Sequence, residues 1–272
     1  MFVIKILFLV LLAFCFAYGE PDGVPSSFKE SSAADGKLDP DTRVVGGKDA
    51  AEGSVPYQVS IRRKKNFHFC GGAIISDRWI LTASHCIDGK KPEDIVAVVG
   101  TNSRTKVGEK YEISKIITHP QFNKTVKVSN DIGIISTKEK IVFSEKVKSI
   151  KLASRDTPGG RMCLLTGWGY TETGKNPAEK LQYLNVKSLS ADGCKIYFAR
   201  YRNAVPVSDY QICTLNKKGE GLCQGDSGGA LVESNEAVGV VSFNYPCALG
   251  YPDIYARVYK FVNWIKANMK NP

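Results

Sequence analysis

Gly225-Asp226-Ser227-Gly228-Gly229 packs one hydroxyl, one carboxylate and three glycines into five consecutive residues. Such a segment turns tightly, and it can bring a serine hydroxyl, two backbone N–H groups and a buried carboxylate close together. Those are most of the parts of an acyl-transfer site. Alone, Asp-Ser-Gly-Gly is an ordinary turn. Its meaning depends on partners elsewhere in the chain: Thr82-Ala83-Ser84-His85-Cys86, Asn130-Asp131-Ile132 and Arg43-Val44-Val45-Gly46-Gly47.

A serine hydroxyl is a poor nucleophile near neutral pH, so Ser227 needs a base, and histidine has the unperturbed pKa suited to that task. The chain has three histidines. His68 precedes an aromatic residue and a cysteine, His119 precedes a proline, and His85 adjoins Cys86, which a disulfide would hold rigidly. The residues alone favour His85 without excluding the other two.

Residues 2–17 form an apolar run broken only by Lys5, too short to span a bilayer comfortably, and Ala17-Tyr18-Gly19 follows it. Residues 1–19 therefore read as a secretory signal. Residues 20–43 are rich in Ser, Asp, Pro and Gly and cannot build a core, so they read as a pro-segment, with the ordered protein starting at Val44. Residues 44–272 suit one all-β domain or a pair of small barrels.

The formal net charge is +10. In the pro-segment, Lys29, Lys37 and Arg43 against Glu20, Asp22, Glu30, Asp35, Asp39 and Asp41 give −3; with Lys5 at +1, residues 44–272 carry +12. Arg62-Arg63-Lys64-Lys65 and Lys146, Lys148 and Lys151 could hold nucleic acid or heparin-like polymers. No aromatic residues interleave with them as in a nucleic-acid module, and they read as a solvated, solubilising surface.

Eight cysteines behind a signal peptide imply disulfides and an oxidising compartment. Cys15 leaves with the signal, so an odd seven remain and at least one is unpaired or bonded to another chain. No Cys-x-x-Cys pair suggests zinc. Asn123-Lys124-Thr125 is a glycosylation sequon.

Short runs rich in Val, Ile and aromatics recur at 57–61, 72–75, 79–82, 95–99, 111–118 and 132–136, then at 161–168, 181–187, 211–215, 230–233, 237–243 and 253–257. This spacing predicts antiparallel β structure of barrel type. In 258–269, Tyr259, Val262, Trp264 and Ile265 keep a roughly helical period and predict a short amphipathic helix.

Thr82 to Cys86, Asn130-Asp131-Ile132 and Gly225 to Gly229, in that order, resemble the three signature segments of the chymotrypsin-like (trypsin family) serine proteases. The resemblance runs from Val44 to about Asn268 and includes Cys70-Gly71-Gly72, Thr166-Gly167-Trp168-Gly169 and Tyr255-Ala256-Arg257-Val258. It implies two antiparallel six-stranded β-barrels with the active site between them and a C-terminal α-helix. It also implies that Ser227 attacks the scissile carbonyl, His85 moves its proton, Asp131 orients the imidazole, and the N–H groups of Gly225 and Ser227 form the oxyanion hole. No triad member is missing. Cleavage after Arg43 frees the ammonium of Val44, which pairs with Asp226 and shapes that hole. With no cysteine in 20–43 the pro-segment leaves untethered, and with no cysteine-rich module the chain reads as a simple secreted zymogen.

The partners so implied are protein or peptide substrates, an activating trypsin-like protease and protein inhibitors, with no nucleic acid and no membrane, for a monomer. No cofactor and no metal are implied; Glu109 and Glu112 stand in a segment too short for a calcium loop. The resemblance pairs Cys70 with Cys86, Cys194 with Cys213 and Cys223 with Cys247. Glu233 stands where Cys163 would find its partner, which leaves Cys163 a free, buried thiol.

The specificity residues depart from the family pattern. Gly221 occupies the pocket base, six residues before Ser227, where trypsins carry aspartate, and Leu222 adds apolar surface. Asp253 stands where glycine is usual; its carboxylate either attracts Lys or Arg, or lies below the pocket, hydrogen-bonded and indifferent. Some invertebrate chymotrypsin-like and collagenolytic members share this glycine-plus-aspartate arrangement and span broad preferences. Ser242-Phe243-Asn244 replaces Ser-Trp-Gly on the strand that pairs with the substrate, and Asn244 either narrows the pocket mouth or swings aside. The expected order is aromatic or large apolar side chains first, mixed specificity second and strictly basic third. The competing expectation from another class is an inactive homologue that uses the barrels and their basic surface to hold a partner.

Overall fold

The computed structural model describes residues 44–106, 108–123, 129–170, 176–199, 207–244 and 247–270. Residues 1–43, which hold the expected signal and pro-segment with Arg43, and Lys124 and Thr125 of the sequon lie outside the described residues. Among the described residues no helix is long and apolar enough to cross a membrane.

The strands, in chain order, are β1 Lys48–Asp49, β2 Gln58–Arg63, β3 His68–Ile74, β4 Trp79–Thr82, β5 Ile95–Val99, β6 Glu109–Thr118 and β7 Gly133–Thr137, then β8 Lys151–Leu152, β9 Met162–Gly167, β10 Gln182–Lys187, β11 Gln211–Thr214, β12 Ala230–Glu233, β13 Glu236–Phe243 and β14 Asp253–Arg257. The helices are α1 Ser84–Ile87, α2 Ala191–Ala199 and α3 Val258–Asn268.

Alternation of side chains across a pleated strand sets their faces. In β6, Tyr111 and Ile113 are buried while Lys110, Glu112 and Ser114 are exposed; in β10, Leu184 and Val186 are buried while Asn185 and Lys187 are exposed. Six strands close the first barrel in the order β2-β3-β4-β7-β6-β5, with β5 pairing back to β2. The second sheet runs β1-β10-β9-β12-β13-β14-β11, with β8 added parallel to β13. Its six central strands, β10 to β11, return on themselves through the single bridge Ser188–Thr214. The two extra strands are two-residue pieces, too short to register as periodic runs, which is why the sequence predicts six.

α3 buries Val258, Phe261 and Ile265, with Val262 and Trp264 packed partly against the core; Tyr259, expected on the inner face, is exposed. α2 buries only Cys194 and Phe198 and has a glycine in its first turn, so no periodic stripe marks it in the sequence.

The structure contains the bridges Cys70–Cys86, Cys194–Cys213 and Cys223–Cys247. Cys163 is free and buried, and burial pushes its thiol up to about 11. The antiparallel register Leu231↔Leu165, Val232↔Leu164 puts Glu233 opposite Cys163. The Glu233 carboxylate instead accepts hydrogen bonds from Arg161 at 2.6 and 3.0 Å, with Arg155 at 3.4 Å, and the Arg161 bond holds its carboxyl below the usual range. An ion pair thus stands where the family resemblance places a covalent link.

Candidate active site

The Ser227 loop between Leu222 and Ala230 belongs to the second barrel but is seated on the first. Gly71 N–H in β3 donates to the Ser227 carbonyl at 2.7 Å, and Gly228, at φ +79°, has no room for a side chain. A Cβ there would lie 2.3 Å from Thr82 Oγ1 and 2.6 Å from the Gly71 carbonyl oxygen. Only glycine combines this conformation with so close an approach. The buried bond from Thr166 Oγ1 to Gln58 Oε1, at 2.7 Å, adds a second tie between the barrels.

His85 sits in α1, which Cys86 ties to β3 and which Ser84 Oγ ties to the Ile132 carbonyl at 2.6 Å. Asp131 is fully buried, and three donors converge on it. Its Oδ1 accepts from the His85 backbone N–H at 2.9 Å; its Oδ2 accepts from His85 Nδ1 at 2.6 Å and from Ser242 Oγ at 2.6 Å. A carboxylate only accepts, so Nδ1 carries a proton and, in the neutral ring, the Nε2 lone pair faces away from Asp131. His85 and Ser227 line one open cleft of about 570 Å³ together with Phe122, Ser242, Phe243 and Asn244. Among the described residues, neither the Gly225 N–H nor the Ser227 N–H donates a hydrogen bond.

His68 enters the site as a support that sequence reasoning passed over. Its Nε2 lies 3.1 Å from the Gly225 carbonyl and its Nδ1 2.8 Å from Ser60 Oγ, which also accepts from Arg62 Nε at 2.8 Å. The ring packs edge-on to Trp168, and burial pushes its pKa down to about 4. Neutral, it donates from Nε2 to Gly225 and accepts at Nδ1 from Ser60. No local pattern could have found it, because its partner is 157 residues away.

Asp226 is fully buried; its Oδ1 accepts from Gly169 N–H at 2.8 Å and its Oδ2 from Cys223 N–H at 3.1 Å. Burial pushes its carboxyl up to about 7 against the pull of those two bonds. A Cβ on Gly167 or Gly169 would lie 2.0 or 2.4 Å from the carboxylate oxygens, so Thr166-Gly167-Trp168-Gly169 is built to leave that group space. Val44 is buried in the core at φ +48°, an unfavourable conformation for a β-branched residue. Val45 then bridges to Gly221, whose N–H donates to the Val45 carbonyl at 3.1 Å.

Around the expected pocket, Gly221 and Asp253 adjoin: a Cβ on Gly221 would lie 2.7 Å from Asp253 Oδ2. That oxygen accepts from Leu222 N–H at 2.9 Å, and burial pushes the Asp253 carboxyl up to about 7, helped by the nearby Asp226 charge. The Leu222 side chain belongs to the core and does not line the cleft. Asn244 is tied back, its Nδ2 donating to the Leu222 carbonyl at 3.2 Å. Cys70, His85 and Cys86 place potential metal-ligand atoms within 4.8 Å of one another, but both sulfurs are joined in a disulfide.

The family model described as Trypsin matches residues 44–265. Chymotrypsin-2 of Vespa crabro is 38% identical over 226 residues, which cover 83% of this chain and 99% of that protein. Trypsin 5G1 of Aedes aegypti is 35% identical over 228 residues, covering 82% of this chain and 84% of that protein. One relative is named a chymotrypsin and the other a trypsin, so the pocket has to be read from its own residues. On sequence, fold and these matches, the chain belongs to the trypsin family of chymotrypsin-like serine endopeptidases.

Proposed function

We propose that this chain is a secreted serine endopeptidase made as a zymogen, with residues 1–19 as the signal and the Arg43–Val44 bond as the activation site cut by a trypsin-like protease. Ser227 Oγ attacks the scissile carbonyl while His85 Nε2 takes its proton and then returns it to the leaving amine. Asp131 holds the imidazole in the Nδ1–H tautomer and stabilises its cation. The Gly225 and Ser227 N–H groups receive the negative charge that develops on the carbonyl oxygen, each worth roughly 2.7–4 kcal/mol in such sites.

Cutting after Arg43 releases Val44 from its unfavourable φ and creates an ammonium that matches the buried Asp226 carboxylate. Because Val45 is bridged to Gly221, this step also steadies the pocket base. The pocket takes aromatic or large apolar side chains: Gly221 brings no charge to its base, and the Asp253 carboxyl, which fills the space a Gly221 side chain would take, accepts from Leu222 N–H.

The observation that carries this reading is the convergence of His85, through Nδ1 and its backbone N–H, on a fully buried Asp131 at the edge of a cleft shared with Ser227. Purified zymogen treated with trypsin should acquire a new N-terminus at Val44 and hydrolyse peptides with Phe, Tyr or Leu before the scissile bond. A clear preference for Arg would overturn the pocket assignment. No hydrolysis of any peptide after correct processing would overturn the enzyme assignment.

A further inference from the structure

Of the basic run Arg62-Arg63-Lys64-Lys65, the first member is not surface at all. Arg62 is fully buried, donating to the Ser103 and Lys106 carbonyls at 2.9 and 3.0 Å and to Asn66 Oδ1 at 3.0 Å. Asn66 in turn donates to the Thr105 carbonyl at 2.8 Å, while Arg63 N–H bonds the Phe67 carbonyl and Asn66 N–H the Arg63 carbonyl. The β2–β3 hairpin is thereby fixed, and it presents Arg63, Lys64 and Lys65 outward beside Phe67, which is 57% exposed and lies under the Arg63 guanidinium. These residues line an open cavity of about 670 Å³ with Gly89, Lys90 and Asp94. Lys90 is placed there by its ammonium over the Phe69 ring, 5.1 Å from the centroid.

Four cations thus face one carboxylate, Asp94, with Asp88 at the border. Glu112, which lies near Lys64 on its other side, is taken by Lys138 at 2.7 Å. The cavity is continuous in sequence with the catalytic cleft: Asp88 lines the cleft, and Gly89 and Lys90 line the basic cavity. In the function proposed above, Gly221 and Asn244 of the second barrel hold the side preceding the scissile bond. The part of the substrate that leaves with the amine then runs the other way from Ser227, over the first barrel and toward the Asp88–Lys90 turn.

We infer that Arg63, Lys64, Lys65 and Lys90, edged by Phe67, form a subsite for acidic residues of the substrate on the carboxyl side of the scissile bond. A hairpin backbone already held in place needs little further ordering on binding, and complementary charge adds attraction that salt screens. The occupant is a polypeptide strand carrying Asp or Glu shortly after the cleaved bond, with the Phe67 ring available to an apolar neighbour. The inference rests on the protease reading of the same cleft.

The test uses the trypsin-activated enzyme and matched peptides with one fixed residue before the scissile bond and Asp, Ala or Lys at each of the first few positions after it. A short amide substrate with nothing beyond the bond serves alongside. The Asp peptide should be cut with a kcat/KM about tenfold above the Lys peptide at low salt, falling to about twofold near 0.5 M salt. The ratio should approach one in a Lys64→Ala, Lys65→Ala, Lys90→Ala variant, and reverse in favour of the Lys peptide in Lys64→Glu, Lys65→Glu. Because each ratio compares two peptides on one enzyme preparation, a loss of folded protein does not imitate the effect. Equal rates for Asp and Lys peptides, with the short substrate cut normally, would overturn this inference alone. Failure to cut the short substrate would overturn the protease reading and this inference with it.

Discussion

Nε2 of His68 lies 3.1 Å from the carbonyl oxygen of Gly225, so a histidine of the first barrel holds the backbone of the Ser227 loop carried by the second. Replacing it leaves the half-buried Gly225 carbonyl without its donor and the buried Ser60 hydroxyl without an acceptor for its proton. His68→Ala should cost about 1–3 kcal/mol of stability, read by urea unfolding, and should lower kcat by loosening the Gly225 donor.

Acid sensitivity follows from the same ring. Its folded pKa is depressed to about 4 from 6.5, so above pH 6.5 neither state holds the extra proton and the ring imposes no penalty. Between 6.5 and about 4 the unfolded chain binds a proton the folded chain refuses, and stability falls by up to about 3 kcal/mol as the pH drops through that window. His68→Gln, which keeps a donor for Gly225 but does not titrate, should show a flatter loss of unfolding midpoint between pH 7 and 4.5 than the unaltered chain.

Asp131 and Ser242 form a graded pair of tests. Asp131→Asn should lower kcat by about ten-thousand-fold, the magnitude belonging to this triad in its family, because the amide can no longer hold the Nδ1–H tautomer. Ser242→Ala removes one of three hydrogen bonds to the carboxylate and should cost about tenfold in kcat, roughly 1.5 kcal/mol, with KM little changed.

Asp253 predicts a substrate preference that moves with pH. Its carboxyl, pushed up to about 7, is neutral below that pH and charged above it. The ratio of kcat/KM for a Lys substrate to that for a Phe substrate should therefore rise between pH 6 and 8.5, and Asp253→Asn should make it flat. Any pH effect common to both substrates cancels in the ratio, so a flat ratio in the unaltered enzyme would place Asp253 outside the pocket's chemistry.

Continued by one residue, the register Leu231↔Leu165, Val232↔Leu164 brings Glu233 opposite Cys163, and residues so paired on adjacent strands lie within the span of a disulfide. E233C should form that bridge under oxidising conditions, seen as the loss of the free thiol, and should raise stability by roughly 2–4 kcal/mol less whatever the Arg161 ion pair contributed. A thiol count unchanged from the unaltered chain would show that the two strands are not so aligned.

Much of this architecture is legible in the residues. The twelve Val-, Ile- and aromatic-rich runs become strands because burial on one face is written into alternation, as in Tyr111 and Ile113 against Glu112. The site segments are legible because each is local: His85 travels with Cys86, and Ser227 with its flanking glycines. What escapes is whatever depends on distant surfaces meeting. The space that Gly167 and Gly169 leave for Asp226, the seating of Gly228 on Thr82 and the His68–Gly225 bond all join segments far apart in the chain. Arg62 is identical in type to Arg63, and only the fold tells that one is buried and the other exposed. The Leu222 side chain packs in the core, a direction that composition does not reveal.

The central claim is that Ser227 becomes a nucleophile once the Arg43–Val44 bond is cut. Trypsin-treated protein should take up one equivalent of a serine-directed phosphonate, with peptide mapping placing the adduct on Ser227 and both uncut protein and Ser227→Ala remaining unlabelled. Correctly processed, folded protein that takes up no label at Ser227 would contradict the account.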